Sequence, residues 1–142
     1  MNTVILHASK SGAARECAGM LAERIENCTV FDLFKETPDI STADVIVIGS
    51  GVRMGRVYKP FRRFIQKNLE MMLSKTTAIY LCNGEPAAYK TAVEKNIPPE
   101  LAAHSLSVMP LGGRRPFSSQ ETRDWILEDN LNAFAQALKR EE

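Results

Sequence analysis

Two kinds of hydrophobic pattern alternate along this chain. Thr3–Leu6, Thr29–Phe31, Asp44–Gly49, Thr77–Leu81 and Leu106–Met109 are short apolar runs rich in Val and Ile. Runs of that length suit strands buried on both faces, as in a parallel sheet. Between them, apolar residues recur at helical spacing. Ala14, Cys17, Ala18, Leu21 and Ile25 share one face of a first helix. Phe61, Phe64, Ile65, Leu69, Met72 and Leu73 do the same in a second, opened by Pro60 at a favoured first-turn position. A weaker helix over about Tyr89–Ala103 is broken by Pro98 and Pro99. A last one begins at a capping-box pattern, Ser118 to Glu121, and carries Leu127, Leu131, Phe134 and Leu138 along one stripe. The stretch Leu33–Ala43, with Pro38 inside it, shows neither pattern and predicts an irregular crossover.

Five strands alternating with helices predict a doubly wound α/β sandwich, with right-handed crossovers placing helices on both faces of the sheet. The expectation is a single domain over residues 1–142. In such sheets a ligand sits beyond the carboxyl ends of the strands, where the strand order reverses. That rule selects three loops: Ala8–Ala13, Ser50–Tyr58 and Cys82–Tyr89.

Composition narrows the classes of function. Lys and Arg total 18 against 17 acidic residues, a net charge of +1, so no bulk attraction to nucleic acid or to a membrane surface is expected. No apolar stretch reaches the roughly 18 residues that span a bilayer. The opening MNTVILHASK has no basic n-region and reads as a strand, so the expected compartment is the cytoplasm. Cys17, Cys28 and Cys82 are widely spaced with no CxxC, and only His7 and His104 accompany them, which predicts neither a disulfide framework nor a metal site.

The loops carry the chemistry. The first, HASKSGAAR, leads from a strand into a helix, whose N-terminal amides form a ready anion site. Ser9 and Ser11 add hydroxyls, Gly12 lets the backbone fold closely, and Lys10 and Arg15 offer charge; the competing reading is a serine helix cap. Neither GxGxxG nor GxxxxGK(S/T) is present, so this is not a dinucleotide fingerprint or a P-loop. The second loop holds Gly49, Gly51 and Gly55, for backbone approach to a flat ligand, with Ser50, Val52, Arg53, Met54 and Arg56 among them. Lys59, Arg62 and Arg63 read as the solvated face of the helix that follows. The third sets Asn83, Gly84 and Glu85 after a strand and ends at Tyr89, which is either a stacking ring or a core residue of the next helix.

These residues resemble the flavodoxin family over essentially the whole chain. The family's phosphate loop runs hydroxyl, any, hydroxyl, Gly, any, Thr. Ser9, Ser11 and Gly12 match it, and Ala14 stands where the last hydroxyl is expected. The stretch VIVIGSGVRMGRVYKPFRRFI and the turn PLGGRRPF, Pro110–Phe117, are similar to the branch that includes menaquinone-dependent protoporphyrinogen oxidase, without that branch's long insertion near the fifth strand. The resemblance implies a flavodoxin-like three-layer sandwich whose five-stranded parallel sheet has the order 2-1-3-4-5. It implies FMN as cofactor, held by Ser9, Lys10, Ser11, Gly12, Ala13 and Ala14, by Ser50, Gly51, Val52, Arg53, Met54 and Gly55, and by Asn83, Gly84, Glu85 and Tyr89. It further implies electron transfer or flavin-dependent oxidoreduction, with a redox partner protein or a quinone or other small molecule as partner. Met54 takes the place of the aromatic ring that carrier flavodoxins often set over the flavin, and the chain lacks their acidic charge. Arg53 and Arg56 are therefore expected to raise the flavin potential; Arg114 and Arg115 either join the same rim, bind an acidic partner or substrate carboxylate, or are solvated surface arginines. The alternative is a flavodoxin fold that has lost FMN and binds another phosphorylated ligand or a protein.

Overall fold

The computed structural model describes residues 1–114 and 124–141. Strands β1 (Thr3–Ala8), β2 (Cys28–Asp32), β3 (Val45–Arg53), β5 (Thr76–Asn83) and β6 (Ser107–Pro110) run parallel in the order β2-β1-β3-β5-β6. With β4 (Arg56–Val57) set aside as an antiparallel hairpin on β3, this is the expected 2-1-3-4-5 order. The helices are α1 (Ala13–Ala22), α2 (Lys59–Leu73), α3 (Tyr89–Asn96), α4 (Pro99–His104) and α5 (Glu128–Lys139).

Strand alternation divides the core into two layers. Ile5, Val45, Val47, Ala78, Tyr80 and Cys82 face α1 and α5, where Cys17, Leu21, Leu131 and Phe134 close the packing. Val4, Leu6, Ile46, Ile48, Ile79 and Leu81 face α2, α3 and α4. Every residue of β1 is buried, as its unbroken apolar run requires. The irregular crossover between β2 and β3 is pinned by the buried Leu33 and Ile40.

Three local expectations need correction. First, β3 does not stop at Gly49. It continues to Arg53, because β5 offers it partners as far as Gly51↔Cys82 and Val52↔Asn83, and it then turns back into β4. Second, α1 ends at Ala22; Ile25 lies beyond the helix yet reaches the same core layer. Third, residues 124–127 are not helical. Ile126 bridges Gly112 and the Leu127 N–H donates to the Leu111 carbonyl at 3.2 Å, so α5 begins only at Glu128. The Ser118–Glu121 capping box and Arg115 lie outside the described residues. Among the described residues no helix is long and apolar enough to cross a membrane.

Candidate functional site

The carboxyl ends of β1, β3 and β5 bring the three loops to one edge of the sheet. There they enclose an open cleft of about 540 Å³, within the range of small-molecule sites. Lys10 and Ser11 line it from the first loop; Gly51, Val52, Arg53, Met54 and Tyr58 from the second; Cys82, Asn83, Gly84 and Glu85 from the third. Arg114, from the turn after β6, completes the wall.

The first loop is held by its own serines. The Gly12 N–H donates to Ser9 Oγ at 2.9 Å and the Ala13 N–H to Ser11 Oγ at 3.5 Å. Gly12 caps α1 with φ at 94°, a left-handed conformation that disfavours any side chain. Ala13 and Ala14 are buried, and the Ala14 carbonyl accepts the Tyr80 hydroxyl at 2.7 Å. Tyr80 crosses beneath the loop, edge-on to Phe134. Burial pushes its phenol well above the ordinary tyrosine pKa, so it remains a donor. Gly49 is what makes room for that ring: a Cβ there would lie 2.0 Å from Tyr80. Its glycine serves the core, not a ligand approach.

The second loop is a hairpin rather than an open loop. Met54 and Gly55 both have positive φ, 53° and 78°, between the paired Arg53 and Arg56, as a two-residue turn of that twist requires. Asn96 of α3 braces it, accepting from the Val57 N–H at 3.3 Å and donating to the Gly55 carbonyl at 2.9 Å. Ser50 is buried and its hydroxyl is engaged within the hairpin, donating to the Gly51 carbonyl at 2.7 Å and accepting from the Tyr58 N–H at 3.2 Å. Met54 is 94% exposed at the tip. The aromatic surface of the cleft comes instead from Tyr58, which covers Gly51 so closely that a Cβ there would meet its ring at 2.9 Å. Phe34 packs edge-on against Tyr58 at 5.7 Å, and Lys10 Nζ sits 5.6 and 5.9 Å from the centres of the Tyr58 and Phe34 rings.

In the third loop the Glu85 N–H donates to Asn83 Oδ1 at 3.0 Å, an Asx turn. Asn83 is only 9% exposed and its Nδ2 has no partner among the described residues. A buried amide donor without an acceptor costs about 1–3 kcal/mol, so its place in the cleft wall marks where an acceptor is expected. Tyr89 does not line the cleft. It is half-buried over the α2–α4 layer and faces a neighbouring cavity of about 370 Å³ that shares Asn83 and Gly84. Cys82 and Cys17 touch at 3.8 Å beneath the cleft; the contact and burial push the Cys82 thiol well above the usual range.

Arg114 reaches back onto the first loop. Its Nη1 donates to the Ser11 carbonyl at 3.2 Å, its Nη2 pairs with Glu16 Oε2 at 2.5 Å, and the guanidinium lies 5.5 Å over the Trp125 ring. At the end of β1, His7 is buried, and its Nδ1 has no partner among the described residues. Desolvation lowers its pKa, only partly offset by Asp32. Of the residues that carry this site, Phe34 and Trp125 gave no sequence signal, because their neighbours are distant along the chain. Tyr58 was legible only as the end of the second loop, and Arg114 only as a member of the rim.

The profile of the Flavodoxin domain family matches residues 4–114. Over 88 residues, 58% of this chain, the sequence is 30% identical to protoporphyrinogen IX dehydrogenase (quinone) of Escherichia coli strain K12. The match covers 49% of that protein, so the chain spans about half the length of the curated relatives it matches. Among solved structures, the rubredoxin oxygen:oxidoreductase of Desulfovibrio gigas superposes with a TM-score of 0.71 at 16% identity, over 99% of this chain and 35% of that one. A flavoprotein of Lactobacillus acidophilus, solved in complex with FMN, does so with a TM-score of 0.58 at 17% identity, over 77% of this chain and 92% of that one. At these identities the likeness is one of fold.

Proposed function

The chain belongs to the flavodoxin domain family, and from that premise we propose that it binds FMN in the three-loop cleft and acts in electron transfer or as a flavin-dependent oxidoreductase. The observation that carries the reading is the meeting on one cleft of Lys10 and Ser11, from the turn that leads into α1, with Asn83, whose buried Nδ2 has no acceptor among the described residues. The donor set fits the group. Lys10, Ser11 and the α1 amides that the two serines leave free would take the phosphate, and Asn83 Nδ2 would donate to an acceptor further along the molecule. Val52, Gly51 and the Tyr58 ring offer the apolar wall that a flat ring system needs.

FMN, when bound, supplies one- and two-electron redox chemistry; the chain tunes and exposes it. Arg53, exposed on the cleft rim, puts a positive charge where it favours the more reduced, more anionic state of the cofactor. Arg56 stands opposite it in the hairpin, outside the cleft lining, and adds to the same field. The open mouth suits a redox partner protein or a small acceptor such as a quinone.

The test is titration of the flavin-stripped protein with FMN, followed by flavin fluorescence, with riboflavin as control. Micromolar or tighter FMN binding with much weaker riboflavin binding supports the reading. Binding of neither overturns it, and the arginine rim then becomes the place to look for a protein partner.

A further inference from the structure

Arg114 is held as a structural clasp would be, but it is not used up as one. A guanidinium carries five N–H groups. The Ser11 carbonyl takes one at 3.2 Å and Glu16 takes another at 2.5 Å, while Nε is buried with no partner among the described residues. The side chain is 26% exposed, so the group keeps an open edge toward the cleft it lines. Its Nη1 lies 3.8 Å from where a Cβ on Gly12 would stand, beside the turn that opens α1.

The rest of the first loop is short of charge committed to that turn. Ser9 and Ser11 already accept the Gly12 and Ala13 amides, and Ala14 has no hydroxyl to offer. Lys10 is drawn toward the Phe34 and Tyr58 rings. Arg15 also comes near Gly12, at 3.4 Å from that same Cβ position. It is exposed, however, and among the described residues no hydrogen bond or ion pair fixes its guanidinium. A cation held in place before binding loses less entropy on meeting an anion than a free one does. Of the two arginines, Arg114 is the one so held.

We infer that Arg114 is the specificity residue by which the cleft selects a phosphomonoester dianion over the unphosphorylated flavin, replacing the donor absent at Ala14. The assignment rests on the flavin reading above. Glu16 orients the fork through Nη2, and the second N–H on each of Nη1 and Nη2 is left for phosphate oxygens.

The experiment compares FMN and riboflavin affinities in the wild type, Arg114→Ala, Arg114→Lys and Arg15→Ala. Arg114→Ala is expected to weaken FMN by about 10- to 100-fold and leave riboflavin unchanged, with Arg114→Lys intermediate and Arg15→Ala smaller. In the wild type, FMN affinity should fall below about pH 6 as the dianion takes up a proton, with no such fall for riboflavin. Inorganic phosphate should raise the melting temperature of the flavin-free wild type and not that of Arg114→Ala. Equal loss of both ligands in Arg114→Ala would show a merely structural arginine, and full retention of FMN affinity would show an idle one; either overturns the assignment. A wild type that binds neither ligand fails the flavin reading first, and this inference with it.

Discussion

The two sides of the cleft are built in opposite ways. On one side the turn between β1 and α1 rests on the buried Tyr80, is capped by its own serines and is clasped by Arg114. On the other, the β3–β4 hairpin projects into solvent with Met54 almost fully exposed and Arg53 directly opposite Arg56, a like-charge pairing that costs rather than stabilises. Residues 50–69 contain Arg53, Arg56, Lys59, Arg62, Arg63 and Lys67 and no acidic residue, in a chain whose overall charge is near zero. On the function proposed above, the first segment would hold the ligand from a support already satisfied from below, and the second would meet partners while staying exposed and charged.

That contrast breaks most readily at Gly49. Replacement by alanine would drive a methyl into the Tyr80 ring and displace the support of the first loop, at an expected cost of about 3 kcal/mol in chemical denaturation, with FMN affinity falling too. A hairpin that proved equally costly to alter would remove the distinction.

The held side should also be the pH-sensitive one. His7 is depressed by burial below its ordinary pKa of 6.5, so the unfolded chain takes up a proton before the folded one does. Its contribution to stability is therefore complete above about pH 6.5 and is lost as the pH falls through the lowered value. Melting temperatures measured from pH 7.5 down to 5 should decline, and His7→Gln should flatten that part of the profile. An unchanged slope in the variant would mean that His7 is not the group responsible.

The smallest effect on stability belongs to the hairpin. Arg53→Gln is expected to change the folding free energy by no more than about 0.5 kcal/mol while lowering the two-electron flavin potential by about 30 mV, the equivalent of tenfold in the equilibrium. A potential that did not move would detach the arginine rim from the redox role proposed for it.

Much of this molecule was readable from local pattern. The Val/Ile runs became β1, β3 and β5, the proline-opened period became α2, and the broken period split into α3 and α4 at Pro98. The three loops were found because strand ends are local signals and the crossover rule places them on one edge. The reading failed where the answer lay elsewhere in the chain. Ser50–Tyr58 reads as a loop in sequence because nothing within it shows that β5 continues alongside. Gly49 looked like a ligand glycine because Tyr80 is 31 positions away, and Met54 stood in for an aromatic that Tyr58 supplies by folding back over Gly51.

By itself, then, the order of residues determined the elements, their parallel arrangement and the edge on which a ligand belongs, since periodicity, caps and chain handedness are properties of neighbouring residues. Only the tertiary structure decided which side chains meet there. Arg114 reaches Ser11 across 103 positions, Tyr80 reaches Ala14 across 66, and Phe34 closes on Tyr58, none of them through any local preference. Such contacts form because packing two layers on a twisted sheet brings distant segments together, and their energies depend on that meeting rather than on the residues taken singly.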